Sequence, residues 1–279
     1  MITVGVDAGG TGSRAVIVRD GEVVERRDLG PLNVILHADA VDRLGALLTD
    51  VGATAAGLGL AGLRSAADAD RIAALLRHRT GARVAVGDDT DAALAGAFRG
   101  APGIVVIAGT GSGAAGRDAA GRTVRVGGHG YLLGDEGGGY WIGRQAVGAA
   151  LRAADGTGPP TELTELVRRA FDSLTGAEQQ VHSNPTDRDL LARLVPLVTA
   201  AAGAGPAGDP VAVRILAEAA GHLVALATAV RARLGPLPVA GVGGIFRCGP
   251  VAGAFRAATG AVDPAEPPEL GALRLLDRR

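Results

Sequence analysis

Asp7 closes a β-type run at the N-terminus and is followed, after Ala8, by Gly9-Gly10-Thr11-Gly12-Ser13. About a hundred residues later, Gly109-Thr110-Gly111-Ser112-Gly113 follows a second β-type run. A strand that delivers a tight turn of Gly, Thr and Ser presents backbone N–H groups and hydroxyls, a donor set that suits phosphate oxygens. The carboxylate at the end of the first strand suits Mg²⁺ or a metal-bound water; the plainer role is bonding within its own loop. A third acidic feature, Asp88-Asp89-Thr90-Asp91, stands between the strand pattern Arg83–Gly87 and an alanine-rich helix pattern. A carboxylate there can accept the proton of an attacking hydroxyl, and the same cluster offers helix caps, a role read for Thr90 or Asp91. A duplicated strand and turn with acid beside the first copy points to a nucleotide held between two lobes, and to movement of a phosphate.

All 28 basic residues are arginine, and the chain has no lysine. A P-loop and a protein kinase each place a lysine on the phosphates, and Schiff-base chemistry needs an amine, so all three classes are excluded. Phosphate is left to backbone N–H groups, hydroxyls, metal or arginine. The single cysteine, Cys248, rules out an internal disulfide and a multi-thiolate zinc site. A net charge of −1 gives no basic surface for nucleic acid or membrane. The longest apolar stretch, Val211 to Leu234, is interrupted by Arg214, Glu218, His222 and Arg231. With no signal pattern at the N-terminus, the expectation is a cytoplasmic protein with no nucleic-acid or membrane partner.

Elements of matching order must carry these residues. Ile2–Val6, Arg14–Val18 and Glu22–Arg27 read as strands, with Asp20-Gly21 as a hairpin turn. Helix Asp39–Val51, strand Ala55–Leu60, helix Asp68–Arg79, strand Arg83–Gly87 and helix Asp91–Arg99 complete a βββαβαβα order. A break at Gly100–Gly103 precedes a restart with Gly103–Ala108, a hairpin through Asp118 to Gly121, and Arg122–Val126. Helices Tyr140–Ala153, Leu163–Leu174, Asp187–Ala202 and Pro210–Leu234 follow, then strand Pro238–Val242 and helix Gly249–Thr259. The expectation is an α/β chain of duplicated βββαβαβα lobes, 1–102 and 103–279, with the last residues packing back on the first lobe. That arrangement is similar to the ribonuclease H-like, actin-like ATPases, a superfamily that includes Hsp70 and the sugar kinases, with the active site in the interlobe cleft.

Gly127 to Gly143, with Gly134-Asp135-Glu136-Gly137 and Tyr140-Trp141-Ile142 at its centre, resembles the signature of the BadF/BadG/BcrA/BcrD-type ATPases, which include N-acetylglucosamine and glucosamine kinases. The resemblance extends to Gly243-Gly244-Ile245-Phe246-Arg247-Cys248-Gly249-Pro250 and to Pro267-Pro268-Glu269-Leu270-Gly271-Ala272. It implies an ATP-dependent kinase of N-acetylglucosamine or glucosamine, acting at the 6-hydroxyl, with ATP and Mg²⁺ as cofactors and a homodimer as the assembly. Asp89 matches the catalytic base and also touches the sugar. Asp7 matches the residue that orients Mg²⁺ through water. Gly9, Gly10, Thr11 and Ser13 of the first turn, and Thr110, Gly111 and Ser112 of the second, match phosphate contacts. Gly243 and Gly244 match an adenosine contact, and the Ala200–Asp209 stretch corresponds to a segment over the adenine. Asn33, Gly128 and Asp135 match sugar contacts. Other roles stand beside these: Asn33 after Pro31-Leu32 as a turn residue, and Asp135 and Glu136 as acids at a helix start. His129 departs from the family pattern, where an aromatic such as Trp is common. A dehydratase-activating relative shares an iron–sulfur cluster through two cysteines per subunit, which a chain with Cys248 alone does not provide.

Overall fold

The computed structural model describes residues 1–279 apart from 11, 36, 204–207, 278 and 279. Three antiparallel strands open the chain: β1 Ile2–Ala8, β2 Ser13–Arg19 and β3 Glu22–Asp28. Asp20 and Gly21 both take positive φ, 51° and 93°, the twist that a two-residue hairpin turn requires. Helix α1 Ala40–Asp50, strand β4 Ala55–Leu60, helix α2 Ala66–Thr80, strand β5 Arg83–Asp88 and helix α3 Asp89–Ala97 follow. The first sheet has the order β3-β2-β1-β4-β5, with β4 and β5 parallel to β1. Val4, Val6, Leu44, Leu48, Leu58 and Leu76 form the heart of its core.

The order then restarts with β6 Gly103–Ala108, β7 Ser112–Arg117 and β8 Thr123–Gly127. The helices are α4 Gly139–Ala154, α5 Leu163–Phe171, α6 Leu174–Ser183, α7 Asp189–Ala192, α8 Val195–Gly203 and α9 Pro210–Leu234. Strand β9 Val239–Val242, helix α10 Gly249–Thr259 and helix α11 Pro268–Leu273 end the chain's regular structure. The second sheet runs β8-β7-β6-β9, the same order as the first up to its last strand. At that last position a single parallel bridge, Ala240 to Val262, stands among the described residues.

The helix expected over Leu163–Leu174 stops at Phe171 and a further helix, α6, follows it, while the one expected over Asp187–Ala202 is divided into α7 and α8. Asp172, at φ 64°, ends α5, and the Ser173 hydroxyl accepts the Gly176 N–H at 2.7 Å to start α6. Pro196 has no N–H to give the carbonyl of Ala192, so α7 stops and α8 begins anew. Helix α9 is apolar and long enough to span a bilayer, with mean hydropathy 1.5 over its best window. Here Ile215, Leu216, Leu223 and Val230 along it are buried, and it packs on α4, α8 and α10.

The chain divides into two compact units. The first comprises Met1–Val105, Ala115–Thr123 and Asp263–Arg279, and the second Val106–Ala114 and Val124–Val262. Helix α11 therefore belongs with the first sheet. It lies on β1 and β4 where a methyl on Gly5 or Gly57 would run into the Glu269 or Ala272 carbonyl. Gly57→Ala should lower unfolding stability by roughly 1–3 kcal/mol, since backbone rather than a mobile side chain must give way. Chemical denaturation checks this, and unchanged stability would mean that α11 sits elsewhere.

Candidate active site

Three cross-strand rows build the first group of residues. Asp7 on β1 faces Arg14 on β2, and Arg14 faces Asp28 on β3, so the three side chains share one face of the sheet. On its other side Asp7 aligns with Gly59 and then Gly87, which leaves that end of the face without side chains. A methyl on Gly59 would crowd Ala92 at 2.5 Å and Asp89 Cα at 3.4 Å, so the first turn of α3 is pressed onto the sheet beside Asp7. This glycine row explains why Asp89 feels the charge of Asp7. Alternating glycines in Ala55-Ala56-Gly57-Leu58-Gly59-Leu60 were the sequence signal for it.

Asp88 is the N-cap of α3: its Oδ1 accepts the Thr90 N–H at 2.9 Å, and Asp89 Oδ1 accepts the same N–H at 2.8 Å. The cap thus falls on Asp88 and not on Thr90 or Asp91, because β5 runs one residue further than its pattern suggests. Burial, above all, pushes the Asp89 carboxyl well above the usual carboxylate range; the bond and charge of Asp88 and the charge of Asp7 add to it. Asp7 is pushed up to about 7, chiefly by burial and then by the charge of Glu269, while Arg14 acts in the opposite sense.

Glu269 of α11 is 4% exposed. One carboxylate oxygen accepts from Arg26 at 2.7 Å, and the other is buried with no hydrogen-bond partner. Neither residue figured in the sequence reading as part of a site.

The first glycine turn is closed by its own backbone. Gly9 O accepts from Leu32 N at 3.1 Å and from the buried Ser13 hydroxyl at 3.4 Å, and Gly10 continues the turn. Thr11 lies outside the described residues. Asn33 forms a turn of its own, its Oδ1 accepting the Ile35 N–H at 2.9 Å, and its amide packs against Gly62 after β4. An open pocket of ≈ 350 Å³ is lined by Asp7, Gly12, Ser13, Arg14, Asp28 and Gly30.

The second group lies in the second unit. Gly139 N–H donates to Gly109 O at 2.8 Å, and Tyr140 N–H to Thr110 O at 3.0 Å, so the second glycine turn is stitched to the start of α4. The Ser112 hydroxyl donates to Glu136 O at 2.7 Å, and Gly128 N–H to Ser112 O at 3.0 Å. The Thr110 hydroxyl donates to Asp189 at 3.0 Å. Asp135 is 7% exposed, with φ 64°, and its carboxylate fills the space where a side chain on Gly111 would stand. Burial raises its pKa, against the opposing pull of the Ser112 and Gly130 backbone N–H groups and of Arg188. Gly243, at φ 112°, abuts the Ala108 carbonyl, and Gly244 opens a 3₁₀ turn, Gly244–Arg247. The Ala200–Asp209 stretch lies partly outside the described residues.

Within each unit a strand delivers a glycine turn and an acidic side chain stands close by. This is the architecture of the actin-like sugar kinases. Over 99% of this chain and 98% of the other, it superposes with TM-score 0.82 and 29% identity on a Chromobacterium violaceum protein provisionally assigned as an N-acetylglucosamine kinase. The chain belongs to the BadF/BadG/BcrA/BcrD ATPase family, whose model matches residues 4–273. An N-acetylmuramic acid/N-acetylglucosamine kinase of Clostridium acetobutylicum is 39% identical over 145 residues, 50% of this chain and 46% of the relative. An N-acetyl-D-glucosamine kinase of Dictyostelium discoideum is 34% identical over 146 residues, 48% of this chain and 42% of the relative. The matched stretches thus span less than half the length of these two relatives.

Proposed function

We propose that the chain is an ATP-dependent kinase of an amino sugar, transferring the γ-phosphoryl group to the 6-hydroxyl of N-acetylglucosamine or glucosamine. The observation that carries the reading is Asp89, a carboxylate of raised proton affinity held at the start of α3 beside Asp7. Membership of an ATPase family and the names of the relatives support ATP as donor and an amino sugar as acceptor.

As the sugar oxygen bonds to the γ-phosphorus, the bond from that phosphorus to the β-phosphate oxygen breaks, and the hydroxyl proton passes to Asp89. A carboxylate whose proton affinity lies close to working pH is an effective acceptor at that moment. Among the described residues no three His, Cys, Asp or Glu side chains gather into a metal cage. One carboxylate at the pocket, Asp7, fits Mg²⁺, which keeps several waters and takes its remaining oxygens from substrate phosphates. When bound there, Mg²⁺ would supply positive charge against the phosphates.

Backbone N–H groups of the two glycine turns, including Gly9, Gly10 and Gly111, would meet phosphate oxygens, with Gly243 and Gly244 beside the adenosine. Asn33, Gly128 and Asp135 would meet the sugar. Asn33→Ala and Asp135→Ala should each weaken sugar binding by about 1–3 kcal/mol and leave nucleotide binding nearly intact. Calorimetry checks this, and unchanged sugar affinity in both would remove them from the sugar site.

The test of the whole reading is ADP release with glucosamine, N-acetylglucosamine, N-acetylmuramic acid and glucose, with the product's phosphate placed by ³¹P NMR. Turnover confined to an amino sugar supports the reading, and no turnover with any of the four overturns it.

A further inference from the structure

We propose that Arg14 binds the terminal phosphates of the nucleotide, in the pocket that it shares with Asp7. The inference rests on the kinase reading above and names a residue that the reading leaves out.

Position is the first argument. The β1–β2 register sets Arg14 directly opposite Asp7, and the β2–β3 register sets Asp28 directly opposite Arg14. The three therefore project from one face, and all three line the ≈ 350 Å³ pocket at the first glycine turn. Arg14 is the cation among the residues lining that pocket.

Its present partner is a weak competitor. Arg14 Nε lies 3.7 Å from Asp28, with the two side chains 55% and 91% exposed. Exposed pairs of this kind hold little free energy, and a phosphate, with more charge and more acceptor oxygens, can displace the carboxylate. A guanidinium also presents parallel N–H groups that match two phosphate oxygens at once.

The chain's other means are limited here. There is no lysine. The Ser13 hydroxyl of the same turn points at Gly9 O, and the Ser112 hydroxyl of the second turn is bonded to Glu136 O. Asp28, and Asp7 once ionised, put negative charge into the pocket in which Arg14 is the lining cation. A triphosphate entering that field needs a fixed cation in addition to its metal, and Arg14 already offsets the charge of Asp7.

The test is calorimetric titration of wild type, Arg14→Met, Arg14→Lys and Asp28→Asn with Mg-ATP and with adenosine. Arg14→Met should weaken Mg-ATP by roughly tenfold to a hundredfold, the range for a lost charge-assisted bond, and leave adenosine within about twofold. Arg14→Lys should recover part of that loss, and Asp28→Asn should tighten Mg-ATP, because the competing carboxylate has gone. Mg-ATP affinity within twofold of wild type in Arg14→Met overturns the inference, and so does an equal loss for adenosine, which would mark a structural role. A wild-type chain that binds adenosine but gains nothing from the phosphates also overturns it. A wild-type chain that binds no adenine nucleotide overturns the kinase reading itself.

Discussion

Asp89→Asn should lower turnover by roughly 10²–10⁴ and change sugar affinity far less. The substitution keeps size and shape, and the asparagine Oδ1 can still accept the Thr90 N–H that Asp89 accepts at 2.8 Å, so the start of α3 should survive. What disappears is the acceptor for the hydroxyl proton. The acid limb of the wild-type pH–rate profile should report this group, with activity rising as the carboxyl ionises. Because burial and Asp88 raise its proton affinity, that limb should lie well above the range of an ordinary aspartate, and Asp89→Asn should lack it. Asp88→Asn should be mild, since asparagine also caps helices, and Asp91→Asn likewise. Steady-state kinetics on the three variants separate the base from the cap. Should Asp88→Asn abolish turnover while Asp89→Asn retains it, the base is the capping residue.

Asp7→Asn should abolish most turnover while making the nucleotide-free protein more stable. Asp7 holds its proton up to about pH 7 in the folded chain, against 3.8 for an ordinary aspartate, so ionising it opposes folding. Between those limits the folded chain binds more protons than the unfolded one, and the Asp7 contribution to stability falls as pH rises. The gain from Asp7→Asn should therefore be small near pH 4, grow towards pH 7 and level off above it. A plateau on the order of 2 kcal/mol allows for the solvent that still reaches this half-buried side chain. Thermal melts across pH, beside turnover at saturating Mg²⁺, measure both halves. Undiminished turnover would remove Asp7 from the metal's surroundings, and a loss of stability at neutral pH would show that its charge is well solvated.

The periodic elements were legible because burial on one face leaves a simple mark. Strand Ala55–Leu60, helix Pro210–Leu234 and helix Gly249–Thr259 stand where their apolar spacing places them. Side-chain caps shift boundaries without changing the pattern, which is why Asp88 moved the start of α3 and Ser173 divided α5 from α6. The candidate aspartates Asp7 and Asp89 were visible as acids at or just after the ends of apolar strands. Arg14 was not, because an arginine on a strand reads as solvated surface until the cross-strand register sets it against Asp7. Glu269 was hidden for a different reason: it reaches Arg26 across 243 positions of sequence, and no local pattern reports so distant a partner.

Helix α11 also bears on how the protein is made. The first unit takes its leading strands from the start of the chain and its closing helix from residues 268–273. On a ribosome, β1 to α3 emerge long before α11, and at about 5–20 residues per second the interval is on the order of ten seconds or more. During that time the faces of Gly5 and Gly57 lack the backbone that covers them, while the intervening second unit is synthesised. Translation therefore favours completion of the Asp7 face as a late event, with the buried Glu269 arriving in the same step as the helix that carries it.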